Sequence, residues 1–441
     1  MLSTPDHIPK AEDLPVITQE ELDSALKLHT MFLEGETGGA RACFQYQNLS
    51  NLDFHNIDLS QADFTGSVLR GADFSLGTYI GTCFFACDFT NANLSHANFS
   101  RADLRGCYLA GANMSGTDLT NADMRSGKIM EKEKNGTLSN RERSGGGQGT
   151  KTILIGAKLT NANLSGLRAN SADFTDANLA QTMTHDANFN GAKLKGANLT
   201  GTDFTGSDLT DADMNNAILS DTILESTENS GLDKTGAVTD DDQGDILEEG
   251  EKTLSELLDE HTLWIETIGK EGSQLNLSDY DLRDVFDLRF FPLTAIHAIK
   301  ASFLNLDLSS ASMQSSVLDG SDFRDCFMEN IDLRGSRLRN VKMTRANLRG
   351  ARLSPLQFKN KDKGIRLNRV DLTGSDLRFA NFQGADLRDA ILVDTDLTHA
   401  DLTGADLRRA NLTGAILNNT HLNEANLTKA IFKNESSEEN E

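Results

Sequence analysis

The stretch Gly145-Gly146-Gly147-Gln148-Gly149-Thr150-Lys151-Thr152 has the residue types of a phosphate-binding loop. Such a loop needs backbone amides around the anion, glycine directly before the lysine, and a helix whose N-terminus faces the phosphate. Thr150 stands before Lys151 and no helical pattern follows, so the stretch reads as a polar, flexible loop without a nucleotide. His29 and His261 each sit on an apolar helix stripe with no Cys, Asp or second His nearby, the setting of a hydrogen-bonded packing residue. His55, His96, His185, His399 and His421 fall at unrelated places and form no ligand set. Cys43, Cys83, Cys87, Cys107 and Cys326 have neither zinc-site spacing nor the density of a disulfide scaffold, which suits a reducing cytoplasm. The expectation is therefore no catalytic residue, no cofactor and no metal, and a chain that is not an enzyme.

The arrangement that would have to position any chemistry is a beat of five. An apolar residue recurs at every fifth place, usually with Ala, Ser, Thr or Cys two places before it. The beat runs from Leu49 to Ile129, resumes in register from Leu154 to Leu224, and returns from Phe303 to Phe358 and from Leu367 to Phe432. Of the 58 central positions so counted, 56 are Leu, Phe, Met, Ile or Tyr; Ala169 and Thr184 depart. Periods of 3.6 or 2 would lose this register within a few repeats, so neither a helix nor a flat strand explains it. A backbone that turns a corner every five residues does, with one large and one small side chain pointing inward from each side. Four corners close a square coil.

Ala62-Asp63-Phe64, Ala92-Asn93-Leu94, Ala102-Asp103-Leu104, Ala385-Asp386-Leu387, Ala405-Asp406-Leu407 and Ala425-Asn426-Leu427 carry the motif A-[DN]-L-x-x. In this the chain resembles the pentapeptide-repeat family over most of its length. The resemblance implies an all-β solenoid, here two right-handed quadrilateral parallel β-helices, each preceded by a short N-terminal capping α-helix. Stacking suits the pattern physically, because one coil cannot bury its own apolar residues and neighbouring coils can.

Two helical segments look like copies. His29-Thr30-Met31-Phe32-Leu33-Glu34 parallels His261-Thr262-Leu263-Trp264-Ile265-Glu266, with stripes Leu22, Leu26, His29, Leu33 and Leu254, Leu258, His261, Ile265. Thr18 with Glu21, and Thr253 with Glu256, form capping-box patterns. The expected order is a tail and capping helix over 1–46, a first solenoid over 47–226 with a polar insertion at 130–151, and an acidic linker over 227–252. A second capping helix over 253–273, a second solenoid over 274–434 with a break at 354–366, and an acidic tail over 435–441 follow.

Charge bears on partners. The net charge is −24, which suits a DNA mimic, and some members of the resembled family act on DNA gyrase in that way. Half of the excess lies in 227–300, however, with 6 basic and 18 acidic residues, while 301–434 carries 19 basic and 16 acidic. A mimic needs carboxylates as regular as phosphates, yet Asp53 and Asp73 continue as Asn93 and Asn113. Arg388 and Arg408 lie beside Asp386 and Asp406, a surface charge ladder in preference to a nucleic-acid site, so direct nucleic-acid binding is not expected. No stretch approaches the roughly 20 apolar residues of a bilayer span, so no membrane insertion is expected, and Met1 to Leu14 shows no secretory signal. The favoured reading is a cytoplasmic scaffold or protein-binding module with a protein partner of unknown identity. DNA mimicry is the alternative, and the pattern leaves oligomeric state open. Candidate contacts are apolar residues at outward positions, Ile80, Phe85, Phe290 and Ile299, together with the 130–151 loop.

Overall fold

The structure is a computed structural model that describes residues 10–127, 130–132, 138–140, 150–240, 252–283, 285, 287–360 and 364–432. The chain divides into two compact units, Leu2–Asp242 and Gln243–Glu441.

Each unit is a stack of coils. In the first, parallel bridges link Asp53 to Asp73, Asp73 to Asn93 and Asn93 to Asn113, each 20 residues on, and across the 130–151 insertion Asn113 to Lys158, 45 on. Between coils the backbone closes a ladder: the Phe54 amide donates to the Asp73 carbonyl at 2.7 Å, and the Asp73 amide donates to the Leu52 carbonyl at 3.0 Å. A regular corner is one residue in the left-handed region, two places after the central one. Asn51, Asn56, Gln61 and Gly66, with φ of 61°, 55°, 65° and 69°, make the four corners of one coil. Only Gly takes that conformation freely and Asn and Asp tolerate it best, which is why these types recur there.

The interior is filled. Central side chains from Leu49 to Met214 are fully buried, apart from Ile129, which lies outside the described residues. Rings stack down the axis, Phe54 on Phe74 at 4.4 Å and Phe303 on Phe323 at 4.6 Å between centroids. Small polar residues in the second inward position are satisfied by the coil below. Thr82 Oγ1 donates to the Leu59 carbonyl at 2.7 Å, and Cys87 Sγ and Cys107 Sγ donate to the Phe64 and Phe84 carbonyls at 2.9 Å. Cysteine thus occupies a serine-like slot. The departures from the beat have local reasons. Ala169 is paired with a large residue, Leu167, in the small slot two places before it, and both are fully buried. Thr184 is buried with its hydroxyl donating to the Asp203 carbonyl at 2.7 Å.

Two helices precede the coils, α1 (Gln19–Leu33) and α2 (Leu254–Glu266), each opened by the expected capping box. Leu22 of α1 is fully buried in the core of the first unit, with Ala25 and Leu26 packed against it. Leu254 and Leu258 of α2 join the core of the second. Val16 extends the first stack by pairing in parallel with Asn48.

Three boundaries differ from the sequence expectation. The segment 227–240 is not linker: parallel bridges from Asp208 to Glu228, Asp213 to Asp233 and Ile218 to Val238 add another coil. The beat was hidden because Asn229, Lys234 and Thr239 stand at its central positions, while Leu232 and Ala237 keep the small inward slots. A last coil has water beyond it and tolerates polar centres. The remaining acidic segment, 241–251, lies outside the described residues. The 130–151 insertion holds an antiparallel pair, β1 (Met130–Lys132) with β2 (Leu138–Asn140), and an antiparallel bridge from Gly127 to Thr150 at its base. The 354–366 break is a second hairpin, β3 (Leu356–Asn360) with β4 (Gly364–Asn368). Phe358 and Leu367, counted as beat positions, belong to that hairpin and are 49% and 43% exposed.

Candidate interaction surfaces

The abundant carboxylates are committed to the corners' own geometry. The Asp or Asn before each central residue accepts from the backbone amide two places on: His55 to Asp53 at 2.8 Å, Thr65 to Asp63 at 3.0 Å and Thr373 to Asp371 at 3.1 Å. Many also accept the hydroxyl of that residue, as Asp203 does from Thr205 at 2.5 Å. These are Asx-type turns, and they explain why Asp and Asn alternate freely at the position. Hydrogen bonds to the charged form hold the carboxyls low. Asp203 falls to about 2 through the Thr205 hydroxyl and His185, and Asp287 to about 2 through Arg289. A general acid needs the opposite shift.

Arginine one place after the central residue folds back on the same carboxylate. Arg324 pairs with Asp322 at 2.6 Å, Arg388 with Asp386 at 2.7 Å and Arg408 with Asp406 at 2.5 Å, and Arg388 reaches the next coil's Asp406 at 3.7 Å. The charge ladder expected for Arg388 and Arg408 is present. The column read from sequence is also present: Asp53, Asp73, Asn93 and Asn113 stack, Asn113 Nδ2 donating to Asn93 Oδ1 at 3.2 Å and Asn93 Nδ2 to Asp73 Oδ1 at 3.1 Å.

The two helix histidines are fully buried and play the same part. His29 Nδ1 accepts the Ala42 amide at 3.0 Å, and His261 Nδ1 accepts the Leu275 amide at 3.0 Å. With Nδ1 accepting, the proton of the neutral ring sits on Nε2; His261 donates it to the Thr294 carbonyl at 3.1 Å, while His29 Nε2 has no partner. His29 lies against Phe32 and His261 against Trp264. Burial lowers the pKa of both below the usual histidine value.

Among the described residues no group of three His, Cys, Asp or Glu could hold a metal, and no helix is long and apolar enough to cross a membrane. In the phosphate-loop stretch, 145–149 lie outside the described residues, and Thr152 is buried with its hydroxyl toward the Leu104 carbonyl at 3.2 Å, so a coil begins there. A shallow cavity of about 220 Å³ is lined by Val285, Leu288, Leu306 and Leu308, with Arg289 bonded to Asp307 at 2.7 Å on its rim.

The four candidate contacts are divided between the two units. Ile80 is 36% exposed. Phe85 lies on the same coil beyond the Gly81 corner, half-buried, with the Arg105 guanidinium 5.4 Å from its ring centroid. Ile299 is half-buried in the second unit, and Phe290 belongs to the 3-10 turn Leu288–Phe290, its side chain outside the described residues. Sequence reading missed Leu76, 54% exposed at a corner, Phe327, 56% exposed at a ladder position, and the β3–β4 hairpin. The hairpin did leave a signal, because the register slips by one place between Phe358 and Leu367.

Comparison with known proteins places the architecture. No curated protein matches the chain. Solved structures that align include QnrB1, a plasmid-mediated fluoroquinolone resistance protein, at 19% identity over 53% of this chain and all of that one, TM-score 0.26. HetL, a pentapeptide repeat protein involved in heterocyst differentiation regulation from the cyanobacterium Nostoc sp. strain PCC 7120, aligns at 19% identity over 92% of this chain and 97% of its own, TM-score 0.14. A pentapeptide repeat protein from the Arabidopsis thaliana thylakoid lumen aligns at 30% identity over 31% of this chain and 68% of its own, TM-score 0.14. The coil register and the family model carry the assignment. The model for pentapeptide repeats matches eight copies, over residues 41–75, 87–125, 151–182, 185–225, 316–354, 365–404 and 405–434. With more than half of its residues matched and its corners and ladders repeating at five and twenty, this chain belongs to the pentapeptide-repeat family, whose coils form a right-handed β-helix.

Proposed function

We propose that the chain is a non-enzymatic scaffold, a cytoplasmic protein-binding module built from two quadrilateral solenoids, each closed at its start by its helix, α1 or α2. The observation that carries this reading is the filled axis. Central side chains are buried from Leu49 to Met124, Leu154 to Leu219, Phe303 to Leu353 and Leu372 to Leu412, and carboxylates outside are tied into turns and ion pairs, so flat faces and projecting hairpins are what the molecule offers a partner. Deleting 127–151 tests the contribution of the first insertion: folding should survive, since the 25 residues removed leave Leu154 five places after Met124. A partner that binds the deletion unchanged docks elsewhere.

The alternative, DNA mimicry toward DNA gyrase, draws on the charge of −24. The stacked column Asp53, Asp73, Asn93, Asn113, Lys158 counts against it, because the negative charge ends within two coils. A supercoiling assay decides it: neither inhibition nor drug protection on adding the purified protein dismisses mimicry.

A further inference from the structure

The β3–β4 hairpin is a basic projection on an acidic protein. Residues 355–369 hold Lys359, Lys361, Lys363, Arg366 and Arg369 against Asp362 alone, a charge of +4 that leaves −28 on the rest of a chain at −24. Among the described residues β3 and β4 make a sheet of two strands, so the outer edge of each has main-chain donors and acceptors with no described strand beside it. The register places Phe358 opposite Arg366 and Gln357 opposite Leu367. Cross-strand partners share a face, so each face carries an exposed apolar side chain beside a polar one. The root is fixed: Leu356 packs on Gly335, and Asn368 Nδ2 donates to the Gly335 carbonyl at 3.0 Å.

A free edge with exposed apolar side chains is what natural sheets otherwise blunt or cover. We propose that this hairpin is a docking edge for an acidic, extended segment of a partner protein, which adds to it as a third strand. This deepens the protein-binding reading and rests on it. Main-chain bonds along the edge would hold the segment, Phe358 or Leu367 would take its apolar residues, and Arg366 and Arg369 its carboxylates. Duplex nucleic acid or an anionic bilayer would use the arginines but leave the main-chain edge and the side chains of Phe358 and Leu367 unused, whereas an extended acidic segment engages all of them.

The test uses the full chain and a labelled twelve-residue peptide alternating Glu with Val, followed by fluorescence anisotropy. Saturable binding that weakens with added salt is expected. The Arg366→Glu, Arg369→Glu double variant should weaken it about tenfold or more, as should Phe358→Ser. These positions are exposed, so an unchanged thermal midpoint verifies the fold. N-methylating alternate residues of the peptide should abolish binding, since only strand addition needs its amides. No binding up to about 1 mM peptide overturns the proposal, as does equal binding by the variants or by the N-methylated peptide. Binding of duplex DNA or phosphatidylserine vesicles in place of the peptide also overturns it. A partner recruited equally by the wild type and the charge-reversed variant would sink this inference and leave the scaffold reading standing.

Discussion

Gly335 lies directly beneath Leu356: a Cβ on this glycine would stand 3.1 Å from Leu356 Cδ1. The first unit repeats the device, with a Cβ on Gly106 falling 2.7 Å from Thr150 Oγ1 and the Gly106 amide donating to Thr152 Oγ1 at 2.9 Å. Each insertion is therefore rooted on a glycine corner of the coil below. Gly404 has the same left-handed backbone, φ +67° against +71°, with nothing within 4 Å. Gly404→Ala should cost about 1 kcal/mol from backbone conformation alone. Gly335→Ala should cost more, because Leu356 must also move. Urea unfolding of both variants measures the difference, and equal losses would mean that Leu356 yields freely.

Leu167 and Ala169 exchange the usual sizes of the two inward slots. Leu167→Ala should remove about 2–5 kcal/mol of stability by opening a cavity. Leu167→Ala with Ala169→Leu restores the family pattern at the same volume and should recover most of the loss. A double variant no more stable than the single would show that neighbouring coils are shaped to the reversed pair.

Thiol reactivity separates inward from outward cysteines. Cys43 is exposed and Cys83 half-buried, whereas Cys87, Cys107 and Cys326 are buried and their thiols are pushed well above the usual range, chiefly by burial. A thiolate-directed reagent on the native protein should modify Cys43 and Cys83, and reach the other three only in denaturant. Mass spectrometry reads this directly, and rapid native labelling of Cys107 would contradict the filled axis.

Stability should decline in mild acid. Burial lowers the folded-state pKa of His29 and His261 below that of the unfolded chain, so the unfolded state binds more protons as pH falls. Their contribution is complete above the unfolded histidine value of about 6.5 and is lost as pH drops through the folded values. The turn carboxylates Asp73, Asp203 and Asp401, with folded pKa values below the ordinary ones, add a second loss in stronger acid as pH falls through those lowered values. Comparing urea midpoints at pH 7.5 and 5.5 isolates the histidines. The His29→Gln, His261→Gln variant should show a flatter profile, and an unchanged slope would place the titrating groups elsewhere.

Much of this protein was written in local pattern. The beat of five identified the inward residues, the helix stripes of Leu22 to Leu33 and Leu254 to Ile265, and the stacking of Arg388 on Arg408, because each depends on spacing along the chain. Polar centres at Asn229, Lys234 and Thr239 hid a coil, since an end coil need not bury a large apolar side chain there. The ladder Asp and Asn looked like free surface charge, and only the turned backbone shows that they accept its amides. Phe358 and Leu367 kept the types of the beat but belong to a hairpin, because an insertion joins the coils on either side through space: Arg337 pairs with Asp371, 34 residues on, and Asn113 with Lys158, 45 on, where regular coils pair at 20. Composition and period decide which side chains a coil can bury; which coil lies beneath which, and what then projects from its corner, is decided only when backbones distant in sequence close their hydrogen bonds.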